Sequence, residues 1–89
     1  MREEQIEVIN RLGLHARAAS KLVQLLGGFQ SKAVMIRGGR EINAKSIMGV
    51  MLLAVAKGTT VTLRLDGDDE DAAMAAAIDL FQRRFDEAD

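Results

Sequence analysis

Between Lys32 and Asn43 the chain reads KAVMIRGGREIN, and this stretch decides the fold class. Two short runs of strand-forming residues flank Gly38-Gly39, a pair that can take the positive φ angles of a two-residue hairpin turn. The runs on either side are therefore antiparallel neighbours. Further along, TTVTLRLD (Thr59–Asp66) puts Val61, Leu63 and Leu65 on one face of a strand and Thr60, Thr62 and Arg64 on the other. Ile6 and Val8 alternate with Gln5 and Glu7, which predicts a first strand ending near Asn10. Strands with one apolar and one polar face belong to an antiparallel sheet covered on a single side.

Helices fill the intervals. From Ala16, apolar residues recur at Ala19, Leu22, Val23 and Leu26, one helix face, with Gly27-Gly28 as the stop. Ser46 is a favoured N-cap for the apolar run IMGVMLLAVA (Ile47–Ala56), and Lys57-Gly58 offers it a cationic last turn and a terminating glycine. Asp68 can cap a third helix with an acidic first turn and a buried stripe of Met74, Ile78, Phe81 and Phe85. The predicted fold is α+β, an open-faced sandwich of order βαββαβα, with three helices on one face of four antiparallel strands.

The chain has 89 residues, no cysteine and no proline, and no repeat or linker divides it, so it is read as one domain over residues 1–89. A formal net charge of -1 and 48% hydrophobic residues argue against a polybasic nucleic-acid binder. The run Ile47–Ala56 is too short to cross a bilayer, which takes about 20 residues. MREEQIEVIN has no long apolar segment, so a cytoplasmic location is expected, and the lack of cysteine suits it. Charge is uneven: residues 1–45 carry eight Lys/Arg against four Asp/Glu, net +4, and residues 46–89 carry four against nine, net -5. Arg11, Arg17, Lys21 and Lys45 thus share a half with the only histidine, where they either steer an acidic partner or form a solvated surface.

That histidine lies in GLHARAAS (Gly13–Ser20). One His and no Cys exclude a conventional zinc site. No acidic residue lies between Glu7 and Glu41, so a serine triad would need a carboxylate delivered to His15 by folding. Neither GxGxxG nor GxxxxGK[ST] occurs, and no cofactor is expected. With Ala16 as the first helical residue, His15 occupies the N-cap, beside backbone N–H groups that lack intrahelical partners. The helix dipole and Arg17 both disfavour an imidazolium and favour a neutral, nucleophilic ring, each term being worth only about 0.3 to 1 kcal/mol at an exposed position. Once the ring carries an anionic group, the same groups stabilise it. A solvent-facing histidine that merely starts a helix fits the local sequence as well.

Gly13-Leu14-His15-Ala16-Arg17, followed by Lys45-Ser46-Ile47-Met48-Gly49, resembles the two signature segments of HPr, the histidine-containing phosphocarrier family of the bacterial phosphoenolpyruvate-dependent phosphotransferase system, over essentially the whole chain. The resemblance implies the same open-faced sandwich, and a histidine phosphorylated on Nδ1 by enzyme I that passes its phosphoryl group to enzyme IIA domains. Carried over, His15 is the phosphoryl acceptor and donor, Arg17 steadies the phosphoryl group, and the backbone N–H of Ala16 assists. No turnover without partner enzymes is implied. Ser46 matches a serine that a dedicated HPr kinase/phosphorylase modifies in many relatives, where a phosphate would burden docking with negative charge. Ala18 stands where most members have proline, and Ala44 where glycine or a larger residue is common. Ala18 leaves open whether the chain belongs to a sugar-uptake or a nitrogen-regulatory (NPr-like) branch.

The second predicted helix has almost no polar face, so part of Ile47, Met48, Met51 and Leu52 should be exposed as a partner surface. Leu14, Ile47, Met48 and Met51, with Lys21 and Lys45, are the expected contact residues for enzyme I and enzyme IIA. A compact monomer suits a shuttle. The alternative is a regulatory or interaction module of the same fold that binds targets through this helix without phosphorylation at His15. A self-sufficient hydrolase would need a base or metal that the residues do not supply.

Overall fold

The computed structural model describes residues 1–87, so Asp89, counted above in the acidic half, lies outside them. The elements are β1 (Arg2–Glu7), α1 (Ala16–Gly27), β2 (Lys32–Arg37), β3 (Arg40–Asn43), α2 (Ile47–Leu52), β4 (Thr60–Asp66) and α3 (Glu70–Gln82), the βαββαβα order expected. The sheet order is β1-β4-β2-β3 and every pairing is antiparallel. Gly38 and Gly39 have φ of 56° and 82°, so the left-handed turn closes with Arg37 opposite Arg40. Register puts Met35 opposite Leu63 and Ile6 opposite Val61, and all four point into the core.

The core joins this sheet face to Ala18, Ala19, Leu22 and Leu26 of α1, Val50 of α2 and Ala73, Met74, Ala77 and Phe81 of α3. At the base of the sandwich Asp69 accepts hydrogen bonds from the Gln30 N–H (2.7 Å), the Ser31 N–H (2.9 Å) and the Ser31 hydroxyl (2.5 Å), tying the start of α3 to the loop before β2.

Four boundaries differ from the sequence reading, the first being the end of β1, at Glu7 rather than near Asn10. The second helix stops at Leu52 rather than at Lys57-Gly58, because Leu53 and Val55 turn into the core and Ala54 between them takes a φ of 51°. The third helix is capped at Asp69, not Asp68, and the Asp69 carboxylate is spent on the Gln30–Ser31 loop instead of its own helix. Phe85 is buried as predicted, but beyond the end of α3, in a turn of opposite hand. Among the described residues no helix is long and apolar enough to cross a membrane.

Candidate functional site

The loop between β1 and α1 is built around a close approach that only glycine permits. Gly13 has a φ of +68°, and a Cβ on it would lie 2.3 Å from the Val55 carbonyl oxygen. The Gly13 N–H donates to the Asn10 carbonyl (3.1 Å), and the Asn10 amide donates back to the Gly13 carbonyl (2.7 Å). The Leu14 N–H then donates to the Val55 carbonyl (2.9 Å), turning the Leu14 side chain into the core. Leu14 is 4% exposed, so its expected place in the partner surface is corrected: it anchors the loop from beneath.

His15 follows as the N-cap of α1, in extended backbone (φ -76°, ψ -178°), and its carbonyl accepts from the Ala19 N–H (2.8 Å). Its side chain makes no capping bond, and Ala16 and Arg17 are exposed, so the first amides of the helix face outward beside the ring. The Arg17 guanidinium has no hydrogen bond or ion pair among the described residues, although its charge acts on Glu87. The ring is 28% exposed, and its Nε2 lies 2.5 Å from a Glu87 carboxylate oxygen.

Glu87 and Asn10 were absent from the sequence reading of the site. His15 and Glu87 are 72 positions apart, and no spacing rule links them. The carboxylate required for a histidine-acid pair is thus delivered by folding, but no hydroxyl is hydrogen-bonded to the ring among the described residues, so no triad forms. Delivery depends on the turn after α3, where Arg84, Phe85 and Asp86 have φ of 55°, 54° and 62°. Successive left-handed residues other than glycine cost about 1 to 2 kcal/mol each. Buried Phe85 offsets this by packing edge-on against Phe81 at a 5.0 Å centroid distance, Arg83 bridges Asp79 and Asp86, and Lys21 Nζ donates to the Phe85 carbonyl (2.8 Å). Burial disfavours the charged form of Glu87, but hydrogen bonds from His15 and Asn10 and the charges of His15 and Arg17 outweigh it and hold the carboxyl below its ordinary pKa.

Lys21 thus braces the turn that carries Glu87 while its side chain stays about a third exposed. Lys45 Nζ donates to the Phe29 carbonyl (2.8 Å), just beyond the C-terminal end of α1 and at the opposite end of that helix from His15, so it does not join the histidine. Ser46 accepts from the Gly49 N–H (3.1 Å), the predicted N-cap geometry, and lies at the start of α2. The chain after α2 returns to the histidine loop through Val55. Along α2, Ile47, Met48, Met51 and Leu52 are all exposed, Met48 the most at 75%, and Leu12 in the histidine loop is exposed as well. Leu12 was not singled out by the sequence, because a lone leucine in a loop carries no pattern. Among the described residues no three His, Cys, Asp or Glu side chains gather as a metal site would require.

A four-stranded open sheet under three helices, with a lone histidine at the start of the first, is the architecture of the small phosphocarrier proteins. The family model described as "PTS HPr component phosphorylation site" matches residues 2–83. The chain is 55% identical over 87 residues to "Phosphocarrier protein HPr" of Xylella fastidiosa, covering 98% of both chains. It is 53% identical to that of Cupriavidus necator over 89 residues, the whole of each. The crystal structure of HPr-C-His from Thermoanaerobacter tengcongensis superposes with a TM-score of 0.94 at 44% identity, over 98% of each chain. The chain belongs to the HPr family of phosphocarrier proteins of the phosphotransferase system.

Proposed function

We propose that this chain is a cytoplasmic, monomeric phosphoryl carrier that takes a phosphoryl group from enzyme I onto His15 and hands it to enzyme IIA domains, with residues 1–89 acting as one unit. One observation carries the reading: a part-exposed imidazole stands at the N-terminus of α1, next to outward amides and the guanidinium of Arg17, which has no hydrogen bond or ion pair among the described residues. In the forward step the lone pair of Nδ1 attacks phosphorus, and the donor's bond to phosphorus breaks with its electron pair returning to the donor. The incoming oxygens meet the Ala16 and Arg17 amides, donors already held in place at the helix end, and the Arg17 side chain, which closes on the anion. Transfer onward is the reverse, with the electron pair returning to Nδ1. Because phosphoryl transfer is chiefly positioning and charge stabilisation, ring, guanidinium and helix end suffice on the carrier's side.

Ile47, Met48 and Met51 of α2, with Leu52 and Leu12, supply an apolar surface for docking, and flexible methionine side chains suit a protein that must fit several partners in turn. A phosphate on Ser46, placed there by an HPr kinase, would set a double negative charge at the head of that surface and weaken docking. The same exposed surface supports a second reading, a regulatory module that binds through α2 and is never phosphorylated on His15.

Incubation with enzyme I and labelled phosphoenolpyruvate separates the two. The carrier takes up acid-labile label that His15→Ala lacks, and Arg17→Ala slows transfer about 10- to 100-fold while leaving the fold intact, the scale of one or two charge-assisted hydrogen bonds. Wild type that stays unlabelled in the presence of active enzyme I excludes the carrier.

A further inference from the structure

An ionised carboxylate can hold an imidazole in only one way: it accepts a hydrogen bond from a ring N–H, which leaves the other nitrogen free. At Nε2 of His15 the acceptor is Glu87, an obligate acceptor when ionised, and its carboxyl is held in the ionised form. A neutral ring so held carries its hydrogen on Nε2 and its lone pair on Nδ1. The second Glu87 oxygen accepts from the Asn10 amide (3.1 Å), and Glu87 is itself only 11% exposed. Asn10 is fully buried. Both partners of its amide nitrogen, Gly13 O and Glu87 Oε1, are acceptors, so the amide orientation is fixed and its carbonyl oxygen is left without a hydrogen bond. A buried polar residue with one end unsatisfied is costly for the loop alone, and its donor is what braces the Glu87 carboxylate. The consecutive left-handed residues Arg84, Phe85 and Asp86 exist on the same path, since they bring the chain back from α3 to the histidine.

We propose that Glu87 is a positioning residue for phosphoryl transfer: its carboxylate pins the proton of His15 on Nε2, presents Nδ1 as the nucleophile, and balances the positive charge that the ring gains when Nδ1 becomes phosphorylated. The proposal rests on the carrier reading and deepens it. No proton has to move. As the bond between Nδ1 and phosphorus forms and the donor's bond breaks, the ring becomes an N-phosphoryl imidazolium whose Nε2–H remains on Glu87. When the phosphoryl group leaves, the electron pair returns to Nδ1 and the ring is neutral again. Among the described residues, Arg17 acts on the pair through its charge, Lys21 of α1 and Arg83 pair with Asp86 in the turn that carries Glu87, and Arg11 adjoins Asn10 in the chain. The charge of Arg17 acts on Glu87 and favours the ionised carboxylate.

Two variants test this. Glu87→Gln keeps an oxygen that can accept from Nε2 but removes the charge, and Glu87→Ala removes both. Amide NMR spectra establish that each remains folded. In the unphosphorylated protein at alkaline pH, ring nitrogen NMR should give the Nε2–H tautomer almost alone for wild type and Glu87→Gln, and a mixture for Glu87→Ala. In the phosphorylated protein, phosphorus NMR should place the loss of the Nε2 proton about one pH unit lower in Glu87→Gln than in wild type. Transfer to an enzyme IIA domain should slow about tenfold, the rate equivalent of that shift. A wild-type ring protonated on Nδ1, or unchanged titration and transfer in folded Glu87→Gln, overturns the proposal. Wild type that accepts no phosphate overturns the carrier reading and the charge-balancing half with it, while the tautomer measurement on unphosphorylated protein still decides the positioning half.

Discussion

Gly13 is the residue on which the histidine's placement turns. Its positive φ and the 2.3 Å approach of Val55 O to a hypothetical Cβ leave no room for a side chain, and its carbonyl also receives the Asn10 amide. Gly13→Ala should lose more than about 1 to 2 kcal/mol of stability in urea unfolding, the cost of a left-handed L-residue before any clash is counted. Phosphoryl acceptance should fall beyond what that destabilisation explains, since Leu14 and His15 are held in place through the same contact. An alanine variant as stable as wild type would mean that the loop adapts freely. His15, Arg17 and their helix end were legible in the sequence, because capping and charge are local properties. Glu87 and Asn10 were not, because their roles exist only once the two ends of the chain meet.

Among the α-helices, α2 is both the shortest and the most exposed. Six residues are too few for an isolated helix, so it persists by packing Val50 and by the Ser46 cap on the Gly49 N–H. Ser46→Ala should cost about 1 kcal/mol and speed hydrogen exchange in Gly49–Leu53 selectively. Uniform protection across wild type and variant would show that the cap contributes nothing. The start of α2 and its exposed face were readable from Ser46 and the all-apolar run. Its end was not: Lys57-Gly58 is a sound local stop, but the pull of Leu53 and Val55 into the core terminates the helix sooner.

Across the whole molecule, carboxylates tie distant parts together. Asp69 is held below its ordinary pKa of 3.8 chiefly by the Ser31 hydroxyl and the Gln30 N–H, and Asp86 by Arg83. Glu70, held below 4.5, is kept ionised by the N-terminal ammonium and the Gly67 N–H, and Glu87 is held down against its burial by His15 and Asn10. Each is a stronger acid folded than unfolded, so its contribution is complete above the unfolded value and disappears as pH falls through the folded one. The thermal midpoint should therefore be flat between about pH 5 and about pH 7 and drop steadily below about pH 4. Asp69→Asn should lower it at neutral pH and flatten the acid limb, and an acid limb equal to wild type would remove Asp69 from this account. By itself the sequence determined the element order, the antiparallel hairpin, the sheet's buried face and the histidine at a helix start, because each follows from periodicity, turn chemistry or capping within a few residues. Only the tertiary structure decided where the second helix ends, that Leu14 is core, that Lys21 and Lys45 are spent on backbone carbonyls, and that Glu87 meets His15. Those outcomes depend on which surfaces the core accepts and on contacts between remote segments, and local pattern carries no information about either.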